Sequence, residues 1–222
     1  MEGDLRFLSH HDTLRALERA AARAGLPLRY SQGFNPHPVM ALLPPRPVGV
    51  ASRDDILVLS LEQPPDQADS GDGCQAARGE DFLAPLQAAA PSGMRFLRAV
   101  ALEGKATPHP LRMHYRLPLK PGEVTLVSRR LEELAGLDRW VVSRLVSPKK
   151  ARPARAMESR DIDIKPMVEN PRLEAAVLRW SAVPHGDAWA RPGELLRLLG
   201  LDERTNLAAV ERTAVQYDLA LQ

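Results

Sequence analysis

Apolar positions recur at helical spacing early in the chain. Between His10 and Ala24, residues Leu14, Leu17, Ala21 and Ala24 fall on one face and predict an amphipathic helix. Ser9 stands where an N-cap belongs, and Asp12 sits where a capping-box acid reaches back. Gly25 marks the far end, and Pro27 prevents continuation. Arg15, Arg19 and Arg23 follow one another every four residues and form a basic row beside Glu18. Leu5-Arg6-Phe7-Leu8, just before this helix, reads as a short strand.

Leu28-Arg29-Tyr30 begins a second strand. The loop Ser31 to Pro38 interrupts it, and Val39 to Leu43 resumes the extended run. Pro44, Pro45 and Pro47 exclude a central strand there. Ile56 to Leu61 reads as a buried strand, Phe82 to Ala90 as a short helix and Met94 to Leu102 as a strand. Gln63 to Glu80 is low in complexity and predicts a mobile surface insert.

A similar order follows a linker at Lys105 to Pro110. Leu111 to Leu119 reads as a strand. A helix opening at Pro121 carries Val124, Val127, Leu131 and Leu134 on one face. Strands are expected at Trp140 to Val146 and at Leu173 to Trp180, with Ile162 and Ile164 alternating in the run between. A further helix starts at Pro192, and a last strand carries Thr213, Val215, Tyr217 and Leu219 on one face. The predicted fold class is α+β, with two ferredoxin-like (βαββαβ-type) halves in tandem. Residues 1–104 form the first half and 111–222 the second.

Composition narrows the picture further. Aromatic residues make up 5% of the chain, so the cores are expected to be Leu, Val and Ala. A single cysteine, Cys74, rules out an intrachain disulfide and a Cys-rich zinc site. No long apolar run or charged-then-apolar leader is present, so a cytoplasmic protein with no membrane partner is expected. The net charge of +2 hides a segregation. Residues 105–160 carry 13 basic and 5 acidic side chains, while the segments on either side are net acidic. A basic middle of this kind predicts a polyanion-facing surface, against the alternative of a solvated face with no partner.

Three groups of residues are candidates for chemistry. Gly33, Pro36 and Pro38 make Ser31, Gln32, Gly33, Phe34, Asn35, Pro36, His37, Pro38 a rigid loop, with Gly33 placed for a positive φ and both X-Pro bonds open to the cis form. Such a loop fixes the directions of Gln32, Asn35 and His37. The competing reading is a stiff hairpin whose polar groups satisfy its own backbone. Ser9, His10, His11 and Asp12 sit at a helix start, where free N–H groups attract an anion, against the competing reading of a capping box with exposed histidines. His10, Asp12 or His37 would be the acid or base of any reaction, and Arg15 lies one turn further on. His10, Asp12 and His37 lack a standard metal-ligand spacing, so no metal is expected. No phosphate loop, dinucleotide fingerprint, iron–sulfur signature or nucleophile elbow is present, and no cofactor is expected. Lys149, Lys150, Arg152 and Arg155, in a basic connector spanning 148–160, are suited to sequence-blind phosphate contacts. Without interleaved aromatics, that connector is not expected to stack bases.

The stretch LRFLSHHDTLRALERAAARAGLPLRYSQGFNPHP resembles a bacterial family of radical-SAM-associated proteins of unknown function. The likeness continues in PPRPVGV, DIDIKPMV and RPGELLRLLGL, so it spans most of the chain. His11 and Thr13 depart from the more apolar residues usual in that family, as in SHLDL; Ser9, His10, Asp12 and the loop do not depart. Members of the family stand alone or are fused behind a radical SAM domain, and some are encoded beside an RNase E/G-type ribonuclease. The resemblance therefore implies an RNA-binding or adaptor role with a radical SAM protein or such a ribonuclease as partner, and RNA as a ligand. It supplies no catalytic residues. The rival readings are a metal-independent endoribonuclease-like enzyme using His10 or His37, and a pure protein-interaction domain.

Overall fold

A computed structural model describes residues 1, 3–62, 79–102, 107–146 and 158–218. The fold is mixed α+β, with helices of 4 to 15 residues and several sheets. The chain divides into two compact units. One comprises residues 1–110 and 217–222, the other residues 111–216.

The first unit opens on a 3-10 turn at Gly3–Phe7, followed by helix α1 (His10–Arg23). Thr13, Ala16, Leu17, Ala20 and Ala21 form the buried face of α1, and Leu14 and Ala24 lie half-buried at its border. The C-terminal end closes as a Schellman motif. Leu26 N–H donates to Ala21 O at 3.1 Å and Gly25 N–H to Ala22 O at 3.1 Å. Gly25 takes a φ of 70°, which only glycine adopts without strain. Strands β1 (Met40–Leu43) and β3 (Ile56–Leu59) pair antiparallel, Met40 opposite Leu59 and Leu43 opposite Ile56. The two-residue strand β2 (Ala51–Ser52) lies between them in sequence. Helix α2 (Leu83–Ala89) buries Leu86.

Among the described residues of this unit, two apolar clusters stand out. Ala21, Leu26, Leu28 and Leu86 gather at the C-terminal end of α1. Leu17, Leu42 and Met94 gather along its earlier turns, with Leu5 and Leu14 against them. The buried Arg46 adds a polar tie. Its Nη1 donates to Arg6 O at 2.9 Å and to Val50 O at 2.5 Å, and its Nη2 donates to Leu5 O at 3.2 Å.

The first unit departs from the expected strand-helix-strand-strand-helix-strand order. Leu5 to Leu8 is not a strand, because its residues enter the 3-10 turn and Arg46 takes the carbonyls of Leu5 and Arg6. Leu28 and Tyr30 make only single bridges, to Leu61 and Pro38. Met94 to Leu102 forms no strand: Met94 turns back to Pro91, and the N–H of Phe96 is taken by the side chain of Gln87. Of the insert expected at 63–80, residues 63–78 lie outside the described residues. Gly79 and Glu80 open a 3-10 turn ending at Phe82.

The second unit is built on strand β4 (Pro110–Pro118), whose Met113, Tyr115 and Leu117 point inward. Helix α3 (Pro121–Ala135) follows, then the hairpin of β5 (Val141–Val146) and β6 (Glu158–Asp163). Next come β7 (Val168–Glu174) and β8 (Val177–Ala182), helix α4 (Pro192–Leu198), helix α5 (Glu203–Asn206) and strand β9 (Glu211–Tyr217). Four strands lie side by side in the order β9-β4-β8-β7, with β8 antiparallel to both neighbours. Tyr115 and Trp180 face each other across β4 and β8 with their rings stacked, centroids 5.2 Å apart. Arg130 of α3 donates to Leu198 O at the end of α4 at 2.8 Å, which ties the two helices together.

The single strand expected at Leu173 to Trp180 is a hairpin. The chain reverses at Ala175, which takes a φ of 52°. Alanine disfavours this region, and no Asn-Gly or Asp-Gly pair announces the turn. Pairing across the turn, Leu173 opposite Leu178 and Glu174 opposite Val177, and the burial of Leu178 and Trp180 on β8 accompany this conformation.

Asp163 closes the end of β6. Its Oδ1 accepts from Trp140 N–H at 2.8 Å and Lys165 N–H at 3.1 Å, and its Oδ2 from Arg139 Nε at 3.3 Å. Partial desolvation raises its pKa, but the backbone bonds from Trp140 and Lys165 and the Arg139 guanidinium outweigh it, so the pKa lies below the usual value. A carboxylate with a depressed folded pKa contributes stability above its unfolded pKa and loses it as pH falls through the folded one. The second unit is therefore expected to weaken as pH falls through and below the normal Asp range, and Asp163→Asn should remove that part of the pH dependence. A pH series of urea midpoints for the two proteins measures it, and parallel curves would refute the assignment.

Candidate functional site

The start of α1 is built by Ser9, which has extended backbone angles (φ −62°, ψ 161°). Its Oγ accepts from Asp12 N–H at 3.1 Å and donates to the Asp12 carboxylate at 2.6 Å. Its carbonyl receives both the N–H and the hydroxyl of Thr13, at 2.9 and 2.8 Å. Asp12 is thus joined to the Ser9 hydroxyl rather than to the Ser9 backbone. Arg15 stands 4.0 Å from Asp12, with both side chains more than half exposed, so their attraction is weak. His11 is exposed and His10 half-buried, with the His10 Nδ1 shielded from solvent and lacking a hydrogen-bond partner.

The loop from Ser31 to His37 leaves the fold after Tyr30 and returns at Pro38. Ser31 N–H donates to His37 O at 2.8 Å, and His37 N–H donates back to Ser31 Oγ at 3.0 Å. Val39 N–H donates to Arg29 O at 2.8 Å just below. Every residue from Ser31 to His37 is exposed, and Phe34 is fully so. Gly33 does not adopt a positive φ, and an added Cβ would meet nothing within 4 Å. The loop therefore turns on its Ser31–His37 closure and its prolines. Neither X-Pro bond of the loop is cis; among the described residues the cis bond is Leu43–Pro44.

The structure joins Ser9, Asp12 and Arg15 in one group, and Ser31 with His37 in another. Among the described residues no hydrogen bond or ion pair links the groups. The helix start belongs to the turns that pack with Leu14 and Leu17, while the loop is entered from Leu28, which packs with Ala21 at the helix end. Lys149, Lys150, Arg152 and Arg155 lie outside the described residues. Among the described residues no group of three or more His, Cys, Asp or Glu is placed to hold a metal ion. No helix among them is long and apolar enough to cross a membrane.

Two features of this region went unread in the sequence. One is Arg46, whose fork holds the carbonyls of the turn that leads into Ser9. Its place within PPRPVGV, one of the stretches that carry the resemblance, was the available signal. The other is charge: between Glu18 and Asp54 the chain has no Asp or Glu, and the whole loop falls in that interval.

Residues 1–207 match the DUF2344 family, described as an uncharacterized protein conserved in bacteria. The chain belongs to that family. The match takes in the helix start, the loop and Arg46, and runs through α5 of the second unit. No curated protein and no solved structure matches the chain.

Proposed function

We propose that this DUF2344 protein is an accessory RNA-binding or adaptor module, working with a radical SAM enzyme or an RNase E/G-type ribonuclease in RNA modification or processing. The observation that carries the reading is the Ser31–His37 loop. It is closed by its own hydrogen bonds, yet it presents its side chains to solvent in a stretch without carboxylates. Side chains that serve neither core nor cap are available to a partner, and a stretch lacking negative charge accepts an anionic one. The excess of basic residues over 105–160 supports the same partner chemistry. The radical SAM and ribonuclease connection rests on the sequence resemblance.

The second unit fits a ferredoxin-like module. Setting aside the β5–β6 hairpin, its elements run strand, helix, strand, strand, helix, strand, and the sheet order β9-β4-β8-β7 matches the way such a unit interleaves its strands. This support does not extend to the first unit.

The test is a salt titration of single-stranded RNA binding by the whole chain. Affinity should fall steeply with salt, because each phosphate neutralised contributes a slope of about −0.7 for single strands. Changing Lys149, Lys150, Arg152 and Arg155 together to alanine should reduce affinity and flatten the slope. Binding that is absent at low salt would overturn the reading. Crosslinking in native cells would then identify the attached partner.

A further inference from the structure

We infer that the Ser31–His37 loop is a stacking platform for single-stranded RNA, with Phe34 as the ring on which a base lies. The inference rests on the RNA-binding reading above and specifies which part of the nucleic acid this loop takes.

Phe34 is fully exposed at the loop tip, although a phenylalanine gains by leaving water. Full exposure means it packs on nothing in the fold, and it lies outside both apolar clusters of the described residues. The loop beneath it is already closed by the reciprocal bonds of Ser31 and His37, so ordering the ring against a ligand costs little entropy. Tyr30, 44% exposed, stands at the loop base beside the exposed Arg29.

The surroundings distinguish the class of ligand. An apolar protein groove would call for a contiguous apolar patch, but Phe34 is the one large apolar side chain between Ser31 and His37. Its neighbours are the amides of Gln32 and Asn35, a hydroxyl and an imidazole, all exposed. A nucleobase offers what this set receives: a π-face for the ring, and a polar edge for amides that both donate and accept. Its phosphate suits Arg29 and a stretch with no carboxylate from Arg19 to Arg53. Bases in a duplex are stacked on one another, so the ring selects the single strand.

The test compares the wild-type chain with Phe34→Ala and Phe34→Trp, using fluorescein-labelled oligouridine and a blunt RNA duplex over a range of salt. Phe34→Ala should weaken oligouridine binding by about 5- to 150-fold, the range expected for loss of one base–aromatic stack. The salt slope should stay unchanged, because no phosphate contact is lost. Duplex affinity should not change, and Phe34→Trp should restore binding. If wild type binds oligouridine and Phe34→Ala binds it equally well, the stacking inference fails while the RNA-binding reading stands. An equal loss for duplex and single strand also overturns it. A wild-type chain that binds neither RNA removes both. Phe34→Ala that keeps RNA affinity but releases a protein held by wild type reassigns the loop to protein docking. Far-UV circular dichroism should be identical for all three proteins.

Discussion

Glu194→Ala is expected to destabilise the second unit by about 3–5 kcal/mol, the range for removing one partner of a buried ion pair. Glu194 is 2% exposed and Arg144 9%. The two meet in a fork, Nε to Oε1 and Nη2 to Oε2, both at 2.7 Å. Glu194 also accepts from Arg191 N–H at 2.8 Å and so caps α4. Truncation would leave a buried guanidinium with the Trp189 carbonyl, at 2.9 Å, in place of a carboxylate. It would also free the Arg191 N–H at the helix start. The pair itself need not be strongly stabilising, because burying both charges is costly. Arg144→Met combined with Glu194→Leu should therefore recover most of the loss, and the double-mutant cycle should show strong coupling. Urea unfolding of wild type, Arg144→Met, Glu194→Leu and the double variant closes the cycle, with Glu194→Ala measured beside them. A single Glu194→Ala variant within about 1 kcal/mol of wild type would contradict the account, since surface substitutions typically lie within about half that.

Arg46→Leu should cost the first unit about 3 kcal/mol or more. Three carbonyls, of Leu5, Arg6 and Val50, lose a charged donor, and such bonds contribute roughly 1.5–3 kcal/mol each without being additive. Gly49 N–H still reaches Arg6 O at 2.7 Å, so the turn is weakened rather than erased. Arg46→Lys should rescue only partly, because one ammonium cannot span the three acceptors as a planar fork does. Thermal unfolding by far-UV circular dichroism is the measurement. An Arg46→Lys variant as stable as wild type would refute the fork account. Because the turn feeds directly into Ser9, hydrogen exchange at the first turn of α1 should rise in the leucine variant.

The two ends of α1 were legible because each rests on local chemistry: a hydroxyl at Ser9 and a glycine at Gly25 that alone tolerates the φ of 70°. What escaped was set by distant partners. Leu5 to Phe7 looks like a strand by apolar content, but Arg46, 40 positions from Arg6, takes the carbonyls a neighbouring strand would have used. Met94 to Leu102 has strand-like composition, yet Gln87 claims an N–H that a ladder would need. The β7–β8 turn was invisible because Ala175 bends where sequence rules look for glycine or asparagine. At the candidate site, the identity of the loop could be read but its geometry could not: Gly33 suggested a positive φ, whereas the Ser31–His37 closure makes the turn without one. The exposure of Phe34 is likewise a property of the folded chain.

Trp180, stacked on Tyr115, shares its unit with the other two tryptophans of the chain. Trp140, Trp180 and Trp189 all belong to the second unit, and none belongs to the first. Emission excited at the red edge of the indole band therefore watches one unit and is blind to the other. Far-UV ellipticity, by contrast, sums helices from both, α1 included. Recording the two signals on one sample separates the transitions without a label. If they coincide, the units melt as one; if ellipticity is lost before emission shifts, the unit that carries Phe34 opens first.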